Sequence, residues 1–264
     1  MTKELYYIIS AFSFGLGAII ASFLNVVIWR VPRGESIVLP PSHCPKCGAH
    51  IKWYQNIPII SWILLRAHCA NCKEPISPRY VLIETLGAIL FFFAWARFGF
   101  FAPIFWIWFA FMIVGTFIDF DHQLLPDFVT VGGMILGLLL IPIEFFILHS
   151  SFFISAAEHF GGLALGFGLF MLIRLLGGKV FKREAMGMGD VLLMGAVGAI
   201  TGPVSVLFVL IVSSLVGAIS GLIFRKRVIP FGPFICLAHL VYLFFGQEII
   251  WWYLNLLHTG SVPA

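Results

Sequence analysis

The stretch FFAPIFWIWFAFMIVGTFI, residues 100–118, decides the fold of this chain. It carries no charged residue, and it is long enough to cross the hydrocarbon core of a bilayer as a helix. Backbone polar groups cannot face lipid unpaired, so such a run favours a helix over an open sheet. Asp119 follows the run directly, at the point where a spanning helix would leave the membrane.

Comparable apolar runs recur along most of the chain. Of its 264 residues 61% are hydrophobic and only 11% are charged, and the mean hydropathy is +1.03. This balance effectively excludes a soluble globule. We predict an all-α, polytopic transmembrane helix bundle of about eight spans. The runs lie near residues 5–29, 80–96, 100–118, 128–148, 160–176, 188–200, 204–224 and 231–257.

One substantial polar stretch separates the first two runs. A hydrophobic core alone rarely stabilises a segment of about 50 residues, so we expect an additional stabilising feature such as a disulfide or a bound metal. The first run lacks a basic leader and a small-residue cleavage site, and we expect it to be retained as a span. The predicted division is a first span at residues 1–29, an insert at residues 30–79 and a transmembrane bundle at residues 80–264.

The placement of basic residues predicts the orientation of the chain. The net charge is +4, and short cytoplasmic loops collect Lys and Arg. With eight spans, fourteen basic residues share one side and only Lys3 and Arg97 lie opposite. We therefore expect that side to be cytoplasmic, with both termini outside and Asp119 and Asp190 at cytoplasmic helix ends. The membrane topology and contact with anionic lipid headgroups explain the positions of the basic residues. We therefore expect no nucleic-acid partner. The fourteen are Arg30, Arg33, Lys46, Lys52, Arg66, Lys73, Arg79, Arg174, Lys179, Lys182, Arg183, Arg225, Lys226 and Arg227.

Four cysteines in the insert predict a structural zinc site. Cys44 and Cys47 form one CxxC pair, and Cys69 and Cys72 form a second pair at a spacing that lets two knuckles close a tetrahedral thiolate site. A redox pair or structural disulfides are the alternatives, but a cytoplasmic location disfavours stable disulfides. Four thiolates leave no open coordination position, so the zinc would hold the fold rather than catalyse. His43 and His68 lie beside these cysteines and are weaker candidates for zinc ligands. Cys236 lies within an apolar run, so we expect it to be a buried core residue rather than a ligand.

Two aspartates stand where apolar runs meet polar loops. Asp119 belongs to the end of a span, whereas Asp121 is expected to be solvated and Asp127 fits an acid in the first turn of the next helix. Asp190 closes the motif GMGD at residues 187–190, which by itself could be only a turn and a helix cap. Two carboxylates brought together from separate helices share a proton, so one can act as a general base while the other polarises a peptide carbonyl. We therefore predict Asp119 and Asp190 as a catalytic pair for peptide-bond hydrolysis.

Two other functions stay open for the same acidic residues. Asp119, Asp121 and Asp127 could hold magnesium in a membrane phosphotransferase that acts on a lipid-linked substrate. Alternatively, Asp119 and Asp190 could be the ion-coupling carboxylates of a transporter.

The motifs taken together give the chain a resemblance that spans nearly its whole length. It resembles the type IV prepilin peptidases, the prepilin leader peptidase/N-methyltransferase family of intramembrane aspartic proteases. The family often has glycine where Ala21 stands and lysine where Leu192 stands. The motifs that carry the resemblance are SFLNV at residues 22–26, PSHCPKC at residues 41–47, NIP at residues 56–58, the second cysteine pair, Arg79-Tyr80 leading to Glu84, Ile118-Asp119, LLPD at residues 124–127, GMGD at residues 187–190 and PFGP at residues 230–233.

The resemblance implies a bifunctional enzyme of the bacterial cytoplasmic (inner) membrane. Such an enzyme removes the leader of prepilins and pseudopilins on the cytoplasmic side, then methylates the new amino terminus with S-adenosylmethionine. By the resemblance Asp119 and Asp190 match the catalytic pair, and Cys44, Cys47, Cys69 and Cys72 match the zinc tetrad. The sequence indicates neither the residues that bind S-adenosylmethionine nor the oligomeric state.

Overall fold

A computed structural model describes residues 2–182, 184, 186–224 and 229–259. Of the fourteen basic residues, Arg183, Arg225, Lys226 and Arg227 lie outside the described residues. Within the described ranges the regular structure is helical, with two isolated β-bridges and no strand, which confirms the all-α prediction. The helices are α1 (Lys3–Arg30), α2 (Ile60–Leu64), α3 (Pro78–Phe98), α4 (Ala102–His122), α5 (Asp127–Leu148), α6 (Phe152–Phe181), α7 (Met188–Phe224) and α8 (Gly232–Thr259).

Six helical regions among the described residues are long and apolar enough to cross a membrane. One of them, Pro78–His122, contains both α3 and α4, and another, Met188–Ile223, contains two of the predicted runs within α7. Every predicted run therefore lies in a helix, and the six regions contain all eight runs, so the predicted count of eight spans is approximate. The chain is a multi-pass membrane protein.

The chain divides into two compact units, Met1–Ile118 and Asp119–Ala264. In the first unit α1 and α3 cross at Gly17 and Gly87, where a Cβ atom on either glycine would overlap the other helix. Small residues at such a crossing let the backbones of two membrane helices approach closely. The side-chain amide of Asn25 in α1 donates to the carbonyl of Tyr80 at 3.3 Å, so the end of α1 lies level with the start of α3.

Helices α3 and α4 fold back on each other around aromatic rings. Gly99 ends α3 with a φ of 53°, and the rings of Phe91 and Trp106 then stack at 5.4 Å between centroids. The Trp106 indole also donates to the Phe91 carbonyl at 3.0 Å. At the other end of this pair, Arg79 donates to the carbonyl of Phe117 at 3.3 Å. The end of α4 therefore lies beside the start of α3, next to the insert.

In the second unit α7 turns sharply at Gly202 and Pro203. The φ of Gly202 is 78°, and a Cβ on Gly198 would lie 2.9 Å from the Cγ2 of Val206. Eight residues of straight helix would separate those positions by about 12 Å along the axis. α7 therefore consists of two helical segments that meet at a sharp bend, which lies between the predicted runs at residues 188–200 and 204–224.

A histidine from α6 stabilises this break in α7. Pro203 has no N–H, so the Ala199 carbonyl four residues earlier loses its helical donor. The Nδ1 of buried His159 contacts that carbonyl, and its Nε2 lies 3.4 Å from the Glu144 carboxylate of α5. A histidine side chain at a helix C-terminus can satisfy such an orphan carbonyl.

Candidate active site

Asp119 lies in the last turn of α4 with its carboxylate buried, only 6% of the residue being exposed. The Gly232 N–H, which begins α8, donates to Asp119 Oδ2 at 3.0 Å. The first N–H groups of a helix have no partner within the helix and carry partial positive charge, so they suit a carboxylate. This contact gives Asp119 a fixed position although it lies at the edge of an apolar helix.

Asp190 lies in the first turn of α7 and is half-buried. It accepts a hydrogen bond from the backbone N–H of Gly187 and interacts electrostatically with Asp119. The structure thus brings the two predicted aspartates together from different helices. Each carboxylate lies beside the N-terminus of a helix. Asp190 is in the first turn of its own helix, α7, and the carboxylate of Asp119 lies against the first residue of α8.

Leu125 packs between the two elements that carry these contacts. A Cβ on Gly189 would lie 2.8 Å from the Cβ of Leu125, and a Cβ on Gly232 would lie 3.3 Å from its Cδ1. A Cβ on Gly232 would also lie 2.7 Å from Asp119 Oδ2. The two glycines are therefore required for close packing around the aspartates. Glycines before Asp190 were expected to allow close backbone approach, whereas the roles of Leu125 and Gly232 beside the aspartates were not predicted.

The other acidic residues of this loop lie outside the pair. Asp121 is exposed at the end of α4, and Asp127 is the exposed first residue of α5. The prediction of Asp127 as an acid in a first helical turn is confirmed. Its side chain lies near the positive end of the α5 dipole, where it stabilises the helix.

The four insert cysteines form a cluster that could bind a metal. Their sulfur atoms all lie within 4.8 Å of one another, and the sulfurs of Cys44 and Cys72 are 3.8 Å apart. Both knuckles have the same hydrogen bonds: Cys44 and Cys69 donate their N–H to residues 49 and 74, and their carbonyls accept from Gly48 and Lys73. Gly48 and Lys73 both have positive φ, 69° and 61°. Each knuckle is therefore one tight turn, and Lys73 takes a conformation that favours glycine.

Local hydrogen bonds prepare two of these thiols for a cation. The Ala49 N–H and the Asn71 side chain lower the pKa of the Cys47 thiol to about 6. The N–H groups of residues 72 and 71 likewise lower the pKa of Cys69. For Cys72 the Glu74 N–H lowers the thiol pKa, but partial desolvation and the three neighbouring thiols raise it to about 12. A bound cation would supply the charge that lets all four become thiolates, so the donor set fits a metal.

The weaker candidates lie outside this cluster. The rings of His43 and His68 contact the carbonyls of Pro41 and Arg66 through Nδ1. Neither histidine belongs to the group of potential ligands found among the described residues. Cys236 is buried within α8, as predicted for a core residue.

The fold and these sites define a class: a multi-pass helical membrane protein with an interacting aspartate pair and a four-cysteine insert. The model of the bacterial peptidase A24 N-terminal domain matches residues 16–98, and that of the type IV leader peptidase family matches residues 106–222. The chain belongs to the type IV leader peptidase family. It is an enzyme of the peptidase class.

Named relatives match most of the chain. A prepilin leader peptidase/N-methyltransferase of Legionella pneumophila is 35% identical over 285 residues, which cover 95% of each chain. One from Myxococcus xanthus is 42% identical over 227 residues, 85% of this chain and 65% of the relative. An Escherichia coli O78:H11 protein named type 4 prepilin-like proteins leader peptide-processing enzyme is 38% identical, across 84% of this chain and 88% of its own length. No solved structure matches the chain significantly.

The contact between Gly232 and Asp119 predicts a substitution that separates folding from activity. In Gly232→Ala the new methyl would push against Asp119 Oδ2, the end of a side chain that can rotate away, so we expect the fold to survive. Displacing a reacting group by about 1 Å can cost 100-fold in rate, and we expect peptidase activity to fall by about that factor. Cleavage rate and thermal unfolding in detergent would be measured together.

Gly168→Ala is the matched control, because a Cβ on Gly168 meets nothing within 4 Å. It should keep both stability and activity. Full activity in Gly232→Ala would show that this close contact does not position Asp119.

Proposed function

We propose that this chain is an intramembrane aspartic endopeptidase that removes the leader peptide from type IV prepilins and pseudopilins, with Asp119 and Asp190 as the catalytic pair. The observation that carries the proposal is that Asp119 and Asp190, which belong to two different helices, lie near enough to interact electrostatically. The names of the matching relatives support the substrate, since they are prepilin-processing enzymes. Both aspartates lie at the ends of apolar helices, a position that suits a membrane-anchored substrate.

The hydrolysis requires the two carboxylates in different protonation states. The ionised aspartate removes a proton from a water molecule as the water oxygen attacks the carbonyl carbon of the scissile peptide bond. The protonated aspartate donates a hydrogen bond to the carbonyl oxygen, where negative charge develops. The C–N bond then breaks, the leaving nitrogen takes a proton, and the products are a leader carboxylate and a new amino terminus.

The geometry gives less support to the alternative functions. A magnesium phosphotransferase would need several carboxylates converging on one ion. Across the described residues, only the four cysteines form a group of three or more potential ligands within reach of one another. The family match gives no support to an ion-coupled transporter.

We place the insert and the aspartates on the cytoplasmic side. Arg30 at the end of α1 and Arg79 at the start of α3 flank the insert, and Arg97 lies at the opposite end of α3. Phe117 contacts Arg79 at the insert end of α3, and Asp119 follows Phe117 by two residues along the chain. The excess of basic residues on this side supports a cytoplasmic location by the positive-inside rule.

We propose that the metal of the four-cysteine cluster is zinc and that it holds the insert together. Zn–S bonds of about 2.3 Å in a tetrahedron set adjacent sulfurs about 3.8 Å apart. The 3.8 Å between the sulfurs of Cys44 and Cys72 agrees with that spacing. We retain the division into a first span, a zinc-stabilised insert at residues 30–79 and a peptidase bundle as part of this proposal.

We further propose that the enzyme methylates the amino terminus that cleavage creates. The matching relatives are named N-methyltransferases, which supports S-adenosylmethionine as the methyl donor. When bound, S-adenosylmethionine would supply an electrophilic methyl group to the new amine. The order follows from the chemistry, because the acceptor nitrogen is still part of a peptide bond before cleavage.

Replacing either aspartate by asparagine should abolish leader cleavage. Asparagine keeps the shape of Asp119 or Asp190 but neither accepts nor supplies the catalytic proton, so we expect the rate to fall by at least about 100-fold. Cleavage of a prepilin substrate would be followed in lipid nanodiscs, with brief EDTA treatment to test for a loosely bound catalytic metal.

Asp121→Asn and Asp127→Asn are the matched controls, since both side chains are exposed outside the pair. They should cleave at nearly the normal rate. Full cleavage by Asp119→Asn or Asp190→Asn would overturn the assignment, and loss of cleavage by the intact chain on EDTA treatment would revive the metal-dependent alternative.

Cys44→Ser should remove zinc and loosen the insert more than the bundle. Cys44 is the one buried member of the cluster, so its loss breaks the site and exposes the knuckles. We expect the zinc content to fall from about one ion per chain towards none and proteolysis within residues 36–73 to accelerate. Elemental analysis and limited proteolysis would be compared with Cys236→Ala, a cysteine variant outside the cluster. Normal zinc content and protease resistance in Cys44→Ser would contradict a structural zinc site.

A further inference from the structure

Helix α2 exposes an apolar face outside the predicted spans. Ile60, Ile63 and Leu64 share one side of this short helix and are 53%, 60% and 76% exposed. The opposite side faces the protein, because Ser61 is buried and the indole of Trp62 donates to the Ile76 carbonyl at 3.2 Å. An exposed, contiguous apolar face on a folded element indicates a binding surface.

Two hydrogen bonds fix α2 beside the first turns of α3. The Trp62 bond reaches Ile76, two residues before α3 begins. The N–H of Ile59 donates to the buried carboxylate of Glu84 at 2.7 Å. Glu84 is about 9 Å into α3 at 1.5 Å per residue, and helical side chains lean towards the N-terminus. The apolar face of α2 is therefore level with the first two turns of a membrane span.

This level coincides with the expected edge of the membrane. Tyr80 in the first turn of α3 and Trp29 near the end of α1 are both exposed, and Asn25 joins these two helix ends. Tyr and Trp concentrate at the membrane–water interface, so the two rings mark its depth. The turn before α2 adds Trp53 and Tyr54, and the Ser61 hydroxyl donates to the Tyr54 carbonyl at 3.1 Å.

The charge of the insert identifies the surface that this face would meet. No Asp or Glu occurs between Glu35 and Glu74, whereas this stretch contains four Lys or Arg residues. Two of the four, Lys52 and Arg66, are exposed on either side of the segment formed by residues 53–64. Long basic side chains flanking apolar and aromatic residues are typical of segments that lie in the interface of an anionic bilayer.

We propose that residues 53–64, the interfacial segment, lie in the lipid leaflet on the insert side and bind anionic phospholipid. Ile60, Ile63 and Leu64 enter the acyl boundary, Trp53 and Tyr54 lie among the headgroups, and Lys52 and Arg66 meet lipid phosphates. The insert is then held against the membrane surface by a third contact besides α1 and α3. This inference rests on the contacts of α2 and not on the peptidase activity.

Photo-crosslinking of the full chain tests the interfacial segment. p-Benzoylphenylalanine would be placed at position 60, 63 or 64, and at exposed His50 in the first knuckle as the matched control. Each protein would be reconstituted in nanodiscs of phosphatidylethanolamine and phosphatidylglycerol and irradiated, and its peptides would be examined by mass spectrometry. Circular dichroism and size-exclusion chromatography would identify the folded variants. Because three positions are used, the test still holds if one variant fails to fold.

We expect adducts of phospholipid mass at positions 60, 63 and 64. We expect no such adducts at position 50. The yield should fall when phosphatidylcholine replaces phosphatidylglycerol, because the zwitterionic surface attracts the basic residues less. Crosslinks from the folded variants to a second copy of the chain would identify a protein interface and overturn the proposal. Absence of lipid adducts from all folded variants, or equal adducts at position 50, would overturn it as well.

Discussion

The hydrogen bond from the Gly232 N–H to Asp119 Oδ2 is the contact on which the candidate active site depends. It joins the last turn of α4 to the first residue of α8, more than a hundred residues away along the chain. A helix N-terminus has an unpaired donor to offer, and a carboxylate at an apolar helix end needs one. Leu125 and the glycines at 189 and 232 keep these backbones close enough for the contact.

The insert is stabilised by different means. Two similar turns place four sulfurs together, and N–H groups lower the pKa of Cys47 and Cys69. Because the small insert contains few buried apolar residues, a metal would contribute a large part of its stability. The buried guanidinium of Arg30 adds support by donating to the carbonyls of Ser36 and Pro40 at 2.8 and 2.7 Å. The insert is thereby tied to the end of α1 as well as to α3.

Local sequence signals predicted much of this structure. Apolar runs located every long helix, and the doubled CxxC spacing predicted the cysteine cluster, because each feature is encoded within a short stretch. The catalytic pairing of Asp119 and Asp190 stays a prediction, which their electrostatic interaction supports. The role of Gly232 could not be predicted, since the atom that excludes a larger residue belongs to Asp119, distant in the chain. The contact of His159 with the Ala199 carbonyl could not be predicted either, because the two residues are distant in the chain. Pro203 indicated only that this carbonyl lacks its helical N–H donor.

The most direct test of the paired mechanism is a comparison of single-turnover cleavage rates in Asp119→Asn, Asp190→Asn and the double variant. Groups that act as one catalytic unit show strongly non-additive losses, because removing either one already disables the unit. We expect the double variant to cleave no more slowly than the slower single variant. Losses that multiply in the double variant would show that the two aspartates act independently, and would contradict a catalytic pair.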